Sequence, residues 1–498
     1  MSLLGNHLPK SQGALVFVTM MMTVCFPTAF GYDSLMMSSL NALPMYKDYF
    51  GINDATSNLN TASMWIGQIV STFSVQYLAD TFGRRTCSIS GMIIVTIGII
   101  LQSAAQNVAM FVVARIILGF GFGIGAVAVS VLISEITPLK WRSVSTGLFF
   151  TNFLLGALIA SAVTYGSMDI NSTWCWRLPS IIQIVPLALS FFFVLFAPES
   201  PRYLISKGRI DEASEILAIV EDAEPTSAAV TTIVAKCADE TADKRSHFAI
   251  WGEMFATRTG KRRMISIAIL SCAVEFGGSS VCSYYQSLLL GQAGITETKQ
   301  KLQVGMVSTI WCLVWSVTGS LMFDRLGRKP MAMGSLLGMS VSFFIMGGLM
   351  KAYDDGANIS AYGTVALMFI FQMFYSFTYT PIDFVYAPEI WSTKHRAAGV
   401  AWYSFVNDSL GLIATFTLSI AMTNMGYKYY FLNAGFNLIF LPFMYYYWVE
   451  TKGTKLEDVE ELFEAAPYGG FGNKFFTPTE IESVEINSED KFVAEEKC

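Results

Sequence analysis

The sequence predicts an all-α membrane protein of 12 transmembrane helices arranged as two pseudo-symmetric six-helix bundles. Three observations carry this. The 498-residue chain is 53% hydrophobic and only 14% charged, whereas soluble domains spend about a quarter of their residues on charge. Apolar runs of spanning length recur along it in two sets of six. Charged patterns between those runs return half a chain length later: Asp80-Thr-Phe-Gly83-Arg84-Arg85 as Asp324-Arg325-Leu-Gly327-Arg328-Lys329, Glu135 with Arg142 as Glu389 with Arg396, and Glu199-Ser-Pro-Arg202 as Glu450-Thr-Lys-Gly453. A duplicated membrane bundle explains such a repeat, and it points to a carrier built from two similar halves.

A helix crosses the hydrocarbon with about 20 apolar residues. The first run, 14–36, is too long for a signal peptide, holds Asp33 and lacks a small-residue cleavage site, so it is a span. Runs 59–79 and 88–106 flank the first basic loop. Run 109–134 contains Arg115 and the alternating glycines Gly119, Gly121, Gly123 and Gly125. These resemble a dinucleotide loop only superficially, since no soluble strand precedes them; in a span they let backbones approach closely. Runs 146–166 and 178–197 complete the first set. The second set occupies 265–290, 303–323, 331–350, 362–387, 397–423 and 428–449, the last ending on the interfacial aromatics Tyr445-Tyr446-Tyr447-Trp448.

The resulting divisions are 1–13, an N-terminal segment; 14–199, the first bundle; 200–262, a linker; 263–452, the second bundle; and 453–498, a tail expected to be mostly disordered after 465. Arg209-Ile-Asp-Glu-Ala-Ser-Glu-Ile-Leu has helical apolar spacing, so the linker should form short amphipathic helices that bracket the bundles. A further helix is expected over Lys455–Phe463. Basic residues concentrate in alternate loops, in the linker and after the last span. The positive-inside rule therefore puts both termini and the linker in the cytoplasm. Sequons at Asn171 and Asn358 fall in loops on the opposite side, as glycosylation requires.

The net charge of −6 gives no sign of a nucleic-acid partner. Eight scattered cysteines never form Cys-x-x-Cys, and His7, His247 and His395 lie outside the spans, so neither a metal site, a disulfide framework nor a cofactor is suggested. No nucleophile and base stand at catalytic spacing, which argues against an enzyme. The expected partners are the lipid bilayer and a small-molecule substrate, with the chain acting as a monomer.

Two charged sets have a physical use. Asp80, Arg84, Arg85, Glu135, Arg142, Glu199, Asp324, Arg328, Glu389, Arg396 and Glu450 sit at span ends. They are candidates for a cytoplasmic gate, closing by ion pairs across the halves and opening as these rock apart; the bland alternative is that they only set orientation. Asp33 lies inside the first span, where an ionised carboxylate needs a partner or a proton. Arg115 offers the partner.

The Asp-x-x-Gly-Arg-Arg/Lys loops, Gly31-Tyr32-Asp33, Arg115, Pro198-Glu-Ser-Pro-Arg202 and Glu450-Thr-Lys-Gly453, in this order, resemble the sugar porter branch of the major facilitator superfamily. The resemblance covers about 14–463 and is similar in wording to fungal members, including the lactose-permease-like group. It implies a plasma-membrane carrier importing a sugar or related polyhydroxylated solute, with Asp33 and Arg115 coupling transport to protons; a fixed structural pair in a passive carrier is the alternative. Aligning on Tyr284-Tyr285 puts Val274 and Glu275 where sugar porters have glutamines, Ser280 at an asparagine, Phe150 at a further glutamine with Asn152 close by, and Tyr379 and Phe384 at tryptophans. Amides suit vicinal hydroxyls because they donate and accept; a phenyl ring does neither. Glu275, Asp383 and Asp408, with Gln286 and Asn407, could line a cavity, bind hydroxyls or receive a cationic group. An exporter of another organic compound, such as a secondary metabolite, and a non-transporting nutrient receptor stay open beside the sugar carrier.

Overall fold

A computed structural model describes residues 9, 11–242, 247–283, 286–292, 294–295, 297–355, 361–383, 386–391, 395–452 and 462–463. The described chain is helical throughout, without strands. The first half comprises α1 (Gln12–Leu40), α2 (Pro44–Phe50), α3 (Asp54–Phe82), α4 (Arg84–Ser103), α5 (Val108–Ile136), α6 (Leu139–Ser167), α7 (Trp174–Ile182) and α8 (Ile184–Phe196). Between the halves lie α9 (Pro201–Ser206), α10 (Ile210–Glu221), α11 (Ala228–Ala242) and α12 (His247–Ala256). The second half comprises α13 (Arg258–Glu275), α14 (Ser279–Ser283), α15 (Gln286–Gln292), α16 (Thr298–Leu326), α17 (Arg328–Asp354), α18 (Ala361–Ile382), α19 (Tyr386–Glu389), α20 (Arg396–Met425) and α21 (Lys428–Tyr447).

Ten stretches of the described residues are long and apolar enough to cross a membrane. Helices α3 and α21 complete the twelve: they have 29 and 20 residues but carry inward-facing Asn58, Asn60 and Gln68, and Asn433 and Asn437. Helix starts follow ordinary capping chemistry. Ser11 accepts from the Ala14 amide, Asn53 forms a capping box with Thr56, and Asn107 accepts from the Met110 amide.

Two spans are broken rather than continuous. The sixth divides at Gln183, between Pro179 and Pro186, into α7 and α8. The seventh, expected as one run over 265–290, stops at Glu275 and resumes as α14. Gly278, at φ +102°, turns the chain there. A break inside a bilayer strands backbone carbonyls. Here Asn433 and Asn437, one turn apart on α21, donate to the Phe276 and Gly277 carbonyls at 3.0 and 3.1 Å.

The alternating glycines of α5 do bring helices close: a Cβ on Gly119 would stand 2.0 Å from the Met64 carbonyl of α3, and one on Gly125 2.6 Å from the Phe26 ring of α1. The halves meet along α3 with α20 and α6 with α16. The linker divides its attachments. Helices α9–α11 pack with the first half, where Gln12 donates to the Val220 carbonyl at 2.9 Å. Helix α12 packs on the second half, with Trp251 and Phe255 edge-on to Trp402 and Glu253 3.2 Å from His395. Of the helix expected over Lys455–Phe463, only Leu462 and Phe463 are described; the tail beyond lies outside the described residues.

Candidate functional site

Asp33 on α1 and Arg115 on α5 meet in the centre of the first half. Arg115 Nη1 donates to Asp33 Oδ2 at 2.7 Å, and the two side chains are 1% and 0% exposed. Arg115 Nη2 reaches the Met64 thioether at 3.6 Å, leaving Asp33 Oδ1 and Arg115 Nε buried with no hydrogen-bond partner among the described residues. Burying either charge alone costs several kcal/mol, so each holds the other in place. A proton on Asp33 removes the charge that fixes Arg115.

The second half has a different interior. Glu275 (α13), Asp383 (after α18) and Asp408 (α20) are 7%, 6% and 8% exposed and lie within electrostatic reach of one another. Asn407 hydrogen-bonds Glu275, and the Tyr403 hydroxyl donates to Asp383. Among the described residues no lysine, arginine or histidine pairs with any of the three.

A cavity opens between the halves at the end remote from the linker. Its walls are stripes at helical spacing: Leu35, Ser38 and Ser39 on α1 with Ala42 just beyond its end, Leu154 and Ser161 on α6, and Lys301, Leu302, Gly305, Ser308, Thr309 and Cys312 on α16, closed by Cys282, Ser283, Gln286 and Gln372. Ser38 donates to the Ser283 carbonyl at 2.8 Å, tying the halves together at its edge. Gln372 is committed to the wall: its amide donates to the Cys282 carbonyl at 3.0 Å while its oxygen accepts from Ser308. Among the described residues Gln286 meets the Met368 sulfur at 3.9 Å.

Of the substrate contacts expected from alignment, none that is described lines this cavity. Tyr379 is fully buried and spends its hydroxyl on the Ala332 carbonyl at 2.9 Å. Asn152 donates to the Leu148 and Thr23 carbonyls at 2.8 and 3.3 Å. Ser280 is buried in α14, Glu275, Asp383 and Asn407 belong to the acid cluster, and Tyr284, Tyr285 and Phe384 lie outside the described residues. The sequence signal for the cavity was the α16 stripe, but small polar residues at core spacing resemble ordinary helix packing.

The duplicated loop motifs form duplicated networks, and the contacts described here lie within each half. Arg84 lies 3.0 Å from Asp80 and 3.8 Å from Glu135, and Ser200 donates to Glu135. In the second half Arg328 lies 3.0 Å from Glu389, which accepts from Thr451 at 3.0 Å. Glu199 accepts from the Arg85 and Ser200 amides at 3.0 and 2.9 Å; Glu450 accepts from those of Arg328, Lys329 and Lys452 at 3.0, 2.9 and 3.0 Å. Gly83 and Gly327, at φ +96° and +90°, admit those carboxylates: a Cβ would meet them at 2.4 and 2.8 Å. Arg85 and Lys329 cap the carbonyl ends of α8 and α21. The side chains of Arg142, Asp324 and Arg396, and Asn358, lie outside the described residues; Asn171 is exposed in the α6–α7 turn.

Twelve spans, twin halves, a cleft between them and a neutralised ion pair in the core define a membrane carrier rather than an enzyme. Comparison with known proteins agrees: the family model described as "Sugar (and other) transporter" matches residues 18–463, and the chain belongs to that family, within the major facilitator superfamily. It is 27% identical over 441 residues to the MFS-type transporter criB of Aspergillus cristatus, covering 87% of this chain and 90% of that one. It is 27% identical to the high-affinity glucose transporter of Kluyveromyces lactis, covering 87% and 82%. Among solved structures, the proton:xylose symporter XylE bound to 6-bromo-6-deoxy-D-glucose superposes with a TM-score of 0.76 at 21% identity, over 91% of this chain and all of that one.

Proposed function

We propose that the protein is a proton-coupled carrier that imports a sugar or related polyhydroxylated solute by alternating access. It acts as a monomer in the plasma membrane with both termini cytoplasmic. The observation that carries the coupling is the dry Asp33–Arg115 pair, 2.7 Å apart with both side chains at most 1% exposed. Its two states differ in charge, so protonation of Asp33 changes which packing of α1 against α5 is favoured. Relatives that transport glucose, the fold shared with a proton:xylose symporter and the hydroxyl- and amide-lined cleft support a polyhydroxylated substrate. No cofactor enters this account; the proton gradient is the driving force.

The test is uptake into proteoliposomes under an imposed pH gradient. Wild type accumulates the sugar above equilibrium. Asp33→Asn falls to the equilibrium level while counterflow persists; unchanged accumulation in this variant removes Asp33 from coupling. A second reading, export of another organic compound, rests on the three acids of the second half, which among the described residues pair with no base and would suit a cationic group. Efflux from loaded vesicles in the absence of sugar uptake would establish it, and binding without flux would establish a receptor.

A further inference from the structure

The cleft contains a cation that the sugar reading leaves idle. Lys301 enters it from the first turn of α16, and its ammonium lies against Gly291 of α15, 3.5 Å from where a Cβ would stand. Among the described residues it pairs with no carboxylate; Glu297, one turn earlier on the same helix, is exposed and makes no ion pair with it. The charged group within its electrostatic reach is Lys47 of α2, of the same sign. Gly305 stands one turn further along α16 and faces the Gln286 amide, whose oxygen would be 3.4 Å from a Cβ there, in van der Waals contact. The lysine, the glutamine and the hydroxyls of Ser38, Ser39 and Thr309 thus border one space, while Glu275, Asp383 and Asp408 line none of it.

An ammonium at the edge of hydrocarbon with a second lysine nearby makes a positive potential that a carboxylate would satisfy. The neighbouring amide and hydroxyls both donate and accept, which suits a hydroxylated carbon chain. We infer that the cleft is a subsite for hydroxylated carboxylates, sugar acids rather than neutral sugars alone, with Lys301 holding the carboxylate and Gln286 a hydroxyl. This rests on the transport reading and narrows its substrate class.

Equilibrium binding of radiolabelled D-glucuronate and D-glucose to the full chain in nanodiscs at pH 7 tests it. Wild type should bind glucuronate about tenfold more tightly, tenfold being about 1.4 kcal/mol. Lys301→Gln should erase the preference, Lys301→Arg should keep most of it, and added salt should shrink it. Equal binding of the two probes, an unchanged preference in Lys301→Gln, or binding of neither overturns the inference. The transport reading is judged separately, by gradient-driven uptake: glucose accumulation with no glucuronate preference sinks only the subsite, whereas a Lys301-dependent preference without accumulation keeps the subsite and sinks the coupling.

Discussion

The two halves agree at their ends and disagree in their interiors. At the linker end each uses one arginine, one glutamate and one hydroxyl in the same arrangement, Arg84–Glu135–Ser200 and Arg328–Glu389–Thr451, beside a carboxylate that caps a helix start. In mid-bundle the first half buries a matched acid and base, while the second buries three acids that, among the described residues, pair with no base. The repeated ends share one design in both bundles, whereas the interiors differ in charge.

The largest effect should come from unmatching the pair. Arg115→Leu strands Asp33 and should cost about 3–5 kcal/mol, read as a lower midpoint of thermal unfolding in detergent. Glu275→Gln, by contrast, removes an acid with no base and should leave that midpoint unchanged or raised. An equal fall in both variants would mean that the interiors are alike after all.

Next in size, Glu450→Ala leaves three backbone amides without their acceptor and should cost about 1–3 kcal/mol, more than Glu199→Ala, which frees two. The reverse order would show that the two caps are not equivalent in kind. Asn437→Leu uncovers the Gly277 carbonyl and should cost about 1 kcal/mol, with faster hydrogen exchange around the α13–α14 break. Smallest of all, Arg84→Gln loosens a partly exposed pair and should cost at most about 1 kcal/mol, diminishing with salt.

The architecture was readable because hydropathy and charge are averaged over whole spans. Even so, α3 and α21 depended on counting a pattern, since Asn60, Gln68, Asn433 and Asn437 dilute their apolar character. The breaks at Gln183 and Gly278 were missed: proline and glycine are tolerated in spans, and the partners of the carbonyls near them, Tyr32 of α1 for Pro179 and Asn433 and Asn437 of α21 for Phe276 and Gly277, are far away in sequence. The nearness of Asp33 and Arg115 was inferable because buried charge demands a partner. Of the cleft only Gln286 was named from the sequence, because alignment to relatives pointed instead to Tyr379 and Asn152, whose polar atoms bond their own half. Lys301 lies near a span end, where a lysine is usually just an interfacial anchor.

The helix-capping carboxylates Glu199 and Glu450 also bear on how the molecule moves. Each rivets the last span of its half to the loop after the second, so neither bundle can shear internally without tearing those rivets. The protein should therefore swing as two stiff levers, with bonds that cross the seam, such as Ser38 to Ser283 and Gln303 to Tyr165, resisting the swing.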